Sequence, residues 1–419
     1  MKFSDYPLSP EIKKNIEALA YKRPTDIQFK AIPLILKGAD VLAVAQTGTG
    51  KTAAFAIPVL QKLQSLKERQ RRKDGIKCLV MVPTRELALQ ITKVFEELGK
   101  HTGVKTYGLL GGVEQDPQIA TLIKGVDVLI TTPGRMFDLS HQGALRLERV
   151  EILIIDEADQ MLGLGFLKDV RDVMRLLPKR RQTLFFSATI DEDIKSLAHS
   201  LTQQAIRIQI SPKDPVSKNV DHSVLFVEMD DKRFFLERIL KENPDGKMLV
   251  FVRTKVRAER VQKAMERVGI SSLILHGDVE QSERTATLAA FNADEERLLI
   301  ATDVSARGID ISNITHVINY DLPTEADQYV HRIGRTGRAK QRGIAYAFCA
   351  PEEKELLRAI HAYTGYEIRI LDLDRADYRE TLKMAEEDQY GIKELLQATE
   401  ETLALNKKGK SKRRKGKKH

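Results

Sequence analysis

Between residues 41 and 210 the chain alternates continuous apolar runs with amphipathic stretches, and that alternation leaves few folds open. The runs are VLAVA (41–45), CLVMV (78–82), VDVLIT (126–131), VEILIID (150–156), TLFFSA (183–188) and AIRIQI (205–210). Runs apolar at nearly every position suit strands covered on both faces. The stretches between them, such as ELALQITKVFEELGK (86–100), carry helical spacing. Strand and helix in alternation predict a parallel sheet with helices on both sides. The pattern pauses at SPKDPVSKN (211–219), a polar segment with two prolines that reads as a linker. It restarts through HSVLFVEM, KMLVFVRT, SSLILHG, RLLIATD, THVINYD and GIAYAFC. The expected architecture is α/β: two tandem domains over 1–210 and 220–373, each a mostly parallel sheet flanked by helices. Residues 374–406 hold helix formers without clear core content and read as a solvated helical extension. Residues 407–419 read as a disordered basic tail.

That tail accounts for the charge. The chain carries 68 Lys+Arg against 59 Asp+Glu, a formal +9, and the residues after Asn406 contribute nine Lys/Arg and no acid. Without those nine, 59 basic residues balance the 59 acidic ones, so the body is neutral. A chain basic throughout, like a histone, and an acidic disordered chain are both excluded. Cys78 and Cys349 lie in apolar runs far apart, which argues against a disulfide framework or zinc site and for a reducing compartment. The start, MKFSDYPLSPEIKKN, lacks the apolar core of a signal peptide, and no apolar run approaches the roughly 18–20 residues that span a bilayer. A cytoplasmic protein with no membrane partner is expected.

The first half carries a phosphate-binding pattern. AQTGTGKT (Ala45 to Thr52) follows the VLAVA run and opens a helix-compatible stretch, the strand–loop–helix context of a P-loop. Backbone N–H groups of Gln46, Thr47, Gly48, Thr49 and Gly50 at a helix start can surround phosphate oxygens. Lys51 would reach the β- and γ-phosphates, and the Thr52 hydroxyl would ligate Mg²⁺. Ala45 replaces the usual first glycine, while Gly48 and Gly50 remain where the loop must bend. Downstream, the run VEILIID ends in Asp156 and Glu157, two carboxylates at a strand's C-terminal end, where open α/β sheets bind ligands. Asp156 can hold Mg²⁺ through water, and Glu157 can orient or deprotonate an attacking water.

The second half has no comparable loop, but YVHRIGRTGRAK spaces Arg332, Arg335 and Arg338 three apart, as on one helical face. Such a cluster can be a surface salt-bridge group, a nucleic-acid patch, or a source of arginine fingers for a phosphate site formed with the first half. The basic segment KERQRRKDGIK (67–77) reads as a solvated loop, with an auxiliary nucleic-acid contact as the other reading.

Taken together these motifs resemble the DEAD-box RNA helicases of superfamily 2. The name is spelled out by Asp156, Glu157, Ala158 and Asp159. PTDIQ (24–28), PTRELA (83–88), GG (111–112), TPGR (132–135), SAT (187–189), VFVRT (250–254), ATDVSARGIDI (301–311) and HRIGRTGR (331–338) follow in family order. The likeness runs from Phe3 to about residue 370, and within the family it is nearest the compact bacterial RhlE type. The resemblance implies two RecA-like domains and an RNA-stimulated ATPase that separates short duplexes by closing the domains; an ATP-locked RNA clamp is the alternative. An unrelated P-loop ATPase acting on protein or transport substrates is the third reading, disfavoured by HRIGRTGR. The DEAD-box resemblance assigns Gln28 to the adenine edge, with Tyr21 stacked on the base and Phe3 beside it. Gly308 and Asp310 are placed near the γ-phosphate and the ribose, and Arg335 and Arg338 at the finger positions. It implies RNA backbone contacts from Pro83, Thr84, Arg85, Gly112, Thr132, Gly134 and Arg135 in the first domain, and from Arg253, Gly277, Thr302 and Asp303 in the second. It also implies coupling of hydrolysis to strand separation through Asp159, Ser187, Thr189 and His331. Three positions depart from the pattern: Ala20 stands where glycine is usual, and Gln160 and Gly163 change DRMLDMG to DQMLGLG. The tail is expected to tether RNA without sequence preference.

Overall fold

The structure is a computed structural model that describes residues 2–46, 48–69, 75–210, 216, 219–306, 311, 313–337, 342–371 and 376–382. Thr47, Gly308, Asp310, Arg338, most of the expected linker and extension, and the whole basic tail lie outside the described residues.

The chain divides into two compact units. The first holds a seven-stranded sheet of β1 (Val41–Ala45), β2 (Cys78–Met81), β3 (Thr106–Leu109), β4 (Val128–Thr131), β5 (Ile152–Ile155), β6 (Gln182–Ser187) and β7 (Ile206–Ile210). Their order across the sheet is β3-β4-β2-β5-β6-β1-β7, with every pairing parallel. The apolar runs become central strands because both faces are covered. Phe186 packs with Ile12, Phe55 and Phe95 on one side, while its neighbour Phe185 packs with Met136, Val173 and Ile194 on the other. Successive strand residues point to opposite faces, so a run apolar at both serves two cores. The sequence pattern did not announce β3, whose TYGL is a short, half-buried edge.

The second unit holds β8 (Val220–Phe226), β9 (Met248–Val252), β10 (Leu273–Leu275), β11 (Leu298–Thr302), β12 (His316–Asn319), β13 (Gly343–Cys349) and β14 (Arg369–Ile370). Their order is β10-β11-β9-β12-β13-β8-β14, again all parallel. This is the first unit's order with seven added to every strand number, so both units are RecA-like sheets of one topology. In each sheet all strand C-termini share one edge, and the loops that leave that edge carry nearly every candidate site residue.

Part of the extension departs from the expected solvated helix. Residues 376–382 are helical and dock on the second unit. The Tyr378 ring lies 5.0 Å from that of Phe235, its hydroxyl donates to Asp231 (2.7 Å) and accepts the Glu228 N–H (3.1 Å), and Arg238 donates to Thr381 (2.7 Å). A tyrosine and a threonine three residues apart make a short contact stripe, too brief to register as hydrophobic periodicity. Cys78 and Cys349 are both buried and free. Among the described residues no helix is long and apolar enough to cross a membrane.

Candidate nucleotide and nucleic-acid sites

The first unit's strand-end edge divides in two. Its β5-β6-β1 half carries the phosphate pattern. β1 ends at buried Ala45, and the loop turns through Gly48 and Gly50, at φ of 80° and 91°, into a helix that begins at Lys51. Gly50 is required twice over: its φ is left-handed, and a Cβ there would lie 2.5 Å from Gln28 Nε2. Gln28 is buried. Its Nε2 donates to the Gly50 carbonyl (3.1 Å) and its Oε1 accepts the Thr25 N–H (3.0 Å). One amide proton and one lone pair remain, which is what an adenine edge requires. Thr49 closes the loop by donating to the Gln46 carbonyl (2.7 Å). Phe3 and Tyr21 lie beside one another, ring centroids 6.3 Å apart. Ala20 adopts φ 57°, the left-handed conformation that glycine takes at a helix end, which accounts for the glycine usual there.

Lys51 is only 6% exposed, and its Nζ has no hydrogen-bond partner within the protein. A buried ammonium without a partner is costly, so this position suits an anionic ligand. Asp156 is buried where β5 ends. Burial pushes its carboxyl above the ordinary range, opposed by the Lys51 charge and by the Glu157 N–H it accepts at 3.0 Å. Glu157 sits at φ 52°, ψ 49°, left-handed backbone that a side chain other than glycine rarely takes; such strain concentrates at functional sites. Asp159, two residues on, accepts the N–H groups of Ala188 and Thr189, each at 3.1 Å, and the Thr189 hydroxyl at 3.4 Å. The acidic motif and the SAT segment after β6 are thus joined directly. Ser187 is fully buried, its hydroxyl unpartnered. Gln160 is buried with an unpartnered carbonyl oxygen, and nothing lies within 4 Å of a Cβ placed at Gly163; the structure gives no reason for either departure.

The β3-β4-β2 half gathers the candidate RNA residues. Pro83, Thr84 and Arg85 follow β2, and Thr84 caps the helix Arg85–Leu98 by accepting the Leu87 N–H. Thr132 and Pro133 follow β4 and start the helix Pro133–His141, with Gly134 open to space. Gly111 and Gly112 follow β3. Gly112 is at φ 71°, and a Cβ there would meet the Arg85 guanidinium at 2.4 Å, so the glycine lets Arg85 lie across the loop. Arg135 is buried and donates through Nη2 to the Val113 carbonyl (2.9 Å), while its Nε and Nη1 have no partner within the protein. Three loops from adjacent strands therefore converge, with two helix N-termini and unspent arginine donors.

In the second unit Gly277 follows β10, Thr302 ends β11 with Asp303 after it, and Arg253 follows β9, the same three strand positions as in the first unit. Arg253 Nη2 donates to Glu353 (2.9 Å) and to the Leu322 carbonyl (3.1 Å). The Asp303 carboxylate is occupied: Arg332 grips it with two bonds of 2.6 Å. The expected helical face of arginines is not formed. The helix Ala326–Ile333 stops at Gly334, so Arg335 lies beyond it, and Arg332 is 2% exposed, spent on Asp303, Asn319 and the Asp321 carbonyl. The cluster reading fails for Arg332 because periodicity cannot see that its partner is an internal aspartate. Arg335 is buried, and His331 lies in the last turn of that helix.

A doubly repeated parallel sheet, with a phosphate loop and an acidic pair at the strand-end edge of the first copy and, among the described residues, no such pair of features in the second, defines a two-unit P-loop NTPase. Residues 25–197 match the DEAD/DEAH box helicase family, and residues 231–340 match the helicase conserved C-terminal domain. The RNA helicase RhlB of Shewanella frigidimarina is 39% identical over 377 residues, spanning 89% of this chain and 87% of that protein. CshA of Bacillus anthracis is 37% identical over 97% of this chain and 75% of that protein. The structure of Saccharomyces cerevisiae Dbp5 bound to RNA and ADP BeF3 superposes with a TM-score of 0.79 at 31% identity, covering 93% of this chain and 99% of that one. The chain belongs to the DEAD-box family of ATP-dependent RNA helicases. It is an RNA-dependent ATPase. The finer likeness to the RhlE type rests on the sequence alone.

Proposed function

We propose that ATP and RNA together bring the two RecA-like units into one closed ATPase, and that closure bends the bound strand so that a short duplex opens locally. The observation that carries this reading is the unpartnered, buried Lys51 Nζ beside the Asp156–Glu157 pair, in a unit where Arg135 also keeps two donors without a partner in the protein. Lys51 and the loop from Gln46 to Gly50, Thr47 included, bind the phosphates. Gln28, Tyr21 and Phe3 select adenine. Glu157 holds the attacking water in line, and Arg335 and Arg338 stabilise the transferred phosphoryl group. Gly308 and Asp310 complete the nucleotide contacts.

Thr52 and Asp156 offer the hard oxygen donors that Mg²⁺ prefers. Among the described residues no cluster of His, Cys, Asp or Glu would hold a metal alone, which suits an ion shared with substrate phosphates. Thr52 and Asp156 would hold the ion, which would supply charge neutralisation for the bound phosphates. Pro83, Thr84, Arg85, Gly112, Thr132, Gly134 and Arg135, with Arg253, Gly277, Thr302 and Asp303, bind RNA through its backbone. Little sequence preference follows, because backbone contacts position without reading bases. Asp303 acts through its own backbone, its carboxylate being held by Arg332. Asp159, Ser187, Thr189 and His331 couple hydrolysis to opening. The tail 407–419 tethers RNA nonspecifically in a cytoplasmic enzyme.

The test is RNA-stimulated ATP hydrolysis, followed by release of a labelled strand from a short duplex, in wild type and Glu157→Gln. Loss of both activities in Glu157→Gln is expected. Wild-type ATPase with long-lived RNA binding and no strand release would replace the helicase reading with an ATP-locked clamp.

A further inference from the structure

The second unit has a lysine in the topological place of Lys51. Lys232 begins the helix Lys232–Glu242 after β8, as Lys51 begins the helix after β1. Lys232 is fully buried and fully partnered: its Nζ donates to Glu353 (2.5 Å) and to the Tyr320 carbonyl (2.7 Å), with Asp321 at 3.7 Å. Glu353 is 2% exposed and saturated in turn. One oxygen takes Lys232 and the Ala350 N–H; the other takes the Leu322 N–H and the Arg253 guanidinium (2.9 Å). Asp321 accepts the Arg253 backbone N–H (3.0 Å), and its carbonyl accepts Arg332 (2.7 Å), the residue that grips Asp303. Arg253 itself has a 41% exposed side chain, with Nη2 spent inside and Nε and Nη1 left for solvent or ligand.

We propose that Glu353, locked in place by Lys232, is a positioning residue for RNA binding: it holds the Arg253 guanidinium where its outward donors meet a backbone phosphate. The inference rests on the reading of Arg253 as an RNA contact. A long flexible arginine loses rotamer freedom when it binds; one already fixed by a buried carboxylate has lost it beforehand. The lysine supplies the charge that lets a second carboxylate partner be buried with Arg253 only half covered.

A double-mutant cycle on the full chain tests this, with affinity for a fluorescein-labelled oligouridylate measured by anisotropy under a non-hydrolysable ATP analogue, and with the RNA dependence of ATPase beside it. Arg253→Ala and Glu353→Gln are each expected to weaken RNA binding about tenfold, about 1.4 kcal/mol. The RNA concentration that half-saturates the ATPase should rise by a similar factor for each, and the double variant should be no weaker than either single one. If Arg253→Ala weakens binding but Glu353→Gln does not, or the two losses multiply, Glu353 is not its positioner, and the RNA contact of Arg253 stands. If Arg253→Ala binds RNA as wild type does, the contact itself falls and the proposal with it. Should Glu353→Gln fail to fold, Lys232→Met/Glu353→Leu, which leaves neither charge unpaired, takes its place in the cycle with the same expectations.

Discussion

The two units thread seven strands in one order, and each starts the helix after its first strand with a lysine, yet only one of these two lysines has no hydrogen-bond partner in the protein. Lys51 is approached through a loop with two glycines at positive φ, and β6, the strand beside β1, ends in the small residue Ser187 with Ala188 after it. Lys232 is approached through Val227 to Asp231, a loop without glycine that carries three acids, and the segment after β13 delivers Glu353 onto its ammonium. The same frame thus leaves one lysine unsatisfied and closes the other into an internal ion pair where the protein supplies the anion. The other half of the edge behaves differently: the candidate RNA residues follow β2, β3 and β4 in one unit and β9, β10 and β11 in the other. Loops with candidate RNA residues follow the same three strands in both copies, whereas the glycine-rich phosphate pattern follows the first strand of one.

Exchanging the roles of the two lysines would break this comparison most sharply. Lys51→Met should lower kcat by about 10²–10³-fold, the order for one charge-stabilising donor, with denaturant unfolding unchanged or slightly stabilised. Lys232→Met should instead destabilise the second unit by about 3–5 kcal/mol, because it removes the buried partner of Glu353 and leaves that carboxylate only the half-exposed Arg253. Urea unfolding and steady-state ATPase on both variants check this; a stability loss in Lys51→Met equal to that in Lys232→Met would show that both are structural.

A second difference lies in backbone strain. Glu157 stands at φ 52°, whereas neither Tyr320 nor Asp321, at the matching strand end, is among the described residues with positive φ. Glu157→Gly should therefore stabilise the chain by up to about 1 kcal/mol while removing ATPase, and Asp321→Gly should only destabilise. Equal destabilisation of both would mean that Glu157 is not strained.

In the RNA half, Arg135→Ala should weaken single-stranded RNA binding by about tenfold, and lower the slope of log affinity against log salt by about 0.7, one phosphate contact. Because Nε and Nη1 of Arg135 have no partner within the protein, the cost should fall on binding more than on stability. An unchanged salt slope would move Arg135 out of the RNA surface.

Much of this was legible beforehand because it depends on local chemistry. A buried central strand must be apolar at both faces, a phosphate loop must be glycine-rich, and helix N-termini after strands recur where PTRELA and TPGR stand. What stayed hidden depends on pairing across long separations. The edge strands β3 and β14 are four and two residues long and lack continuous apolar runs. Arg332 reads as one of three like arginines, and only the fold shows it spent on Asp303, 29 residues earlier. Nothing in MDDKRFF marks Lys232 as the counterpart of Lys51, since its partner Glu353 lies 121 residues away.

The smallest effect contrasts two helix ends. In the first unit the helix Pro10–Ala18 closes through Ala20 at φ 57°, with the Tyr21 N–H returning to the Ile16 carbonyl at 3.1 Å. In the second unit the helix Lys354–Thr364 closes through Gly365 at φ 81°, whose N–H returns to His361. The left-handed turn costs an alanine about 1–2 kcal/mol, against which glycine loses about 0.5–1 kcal/mol of chain entropy on folding. Ala20→Gly should then stabilise by about 0.5–1 kcal/mol and Gly365→Ala should destabilise by a similar amount, both read from urea unfolding. Tyr21 follows Ala20 directly, so ATP affinity is the control: the turn geometry is the same with either residue, and the Michaelis constant for ATP should not move. A shift in that constant without a stability change would mean that the alanine tunes the base pocket and not the helix end.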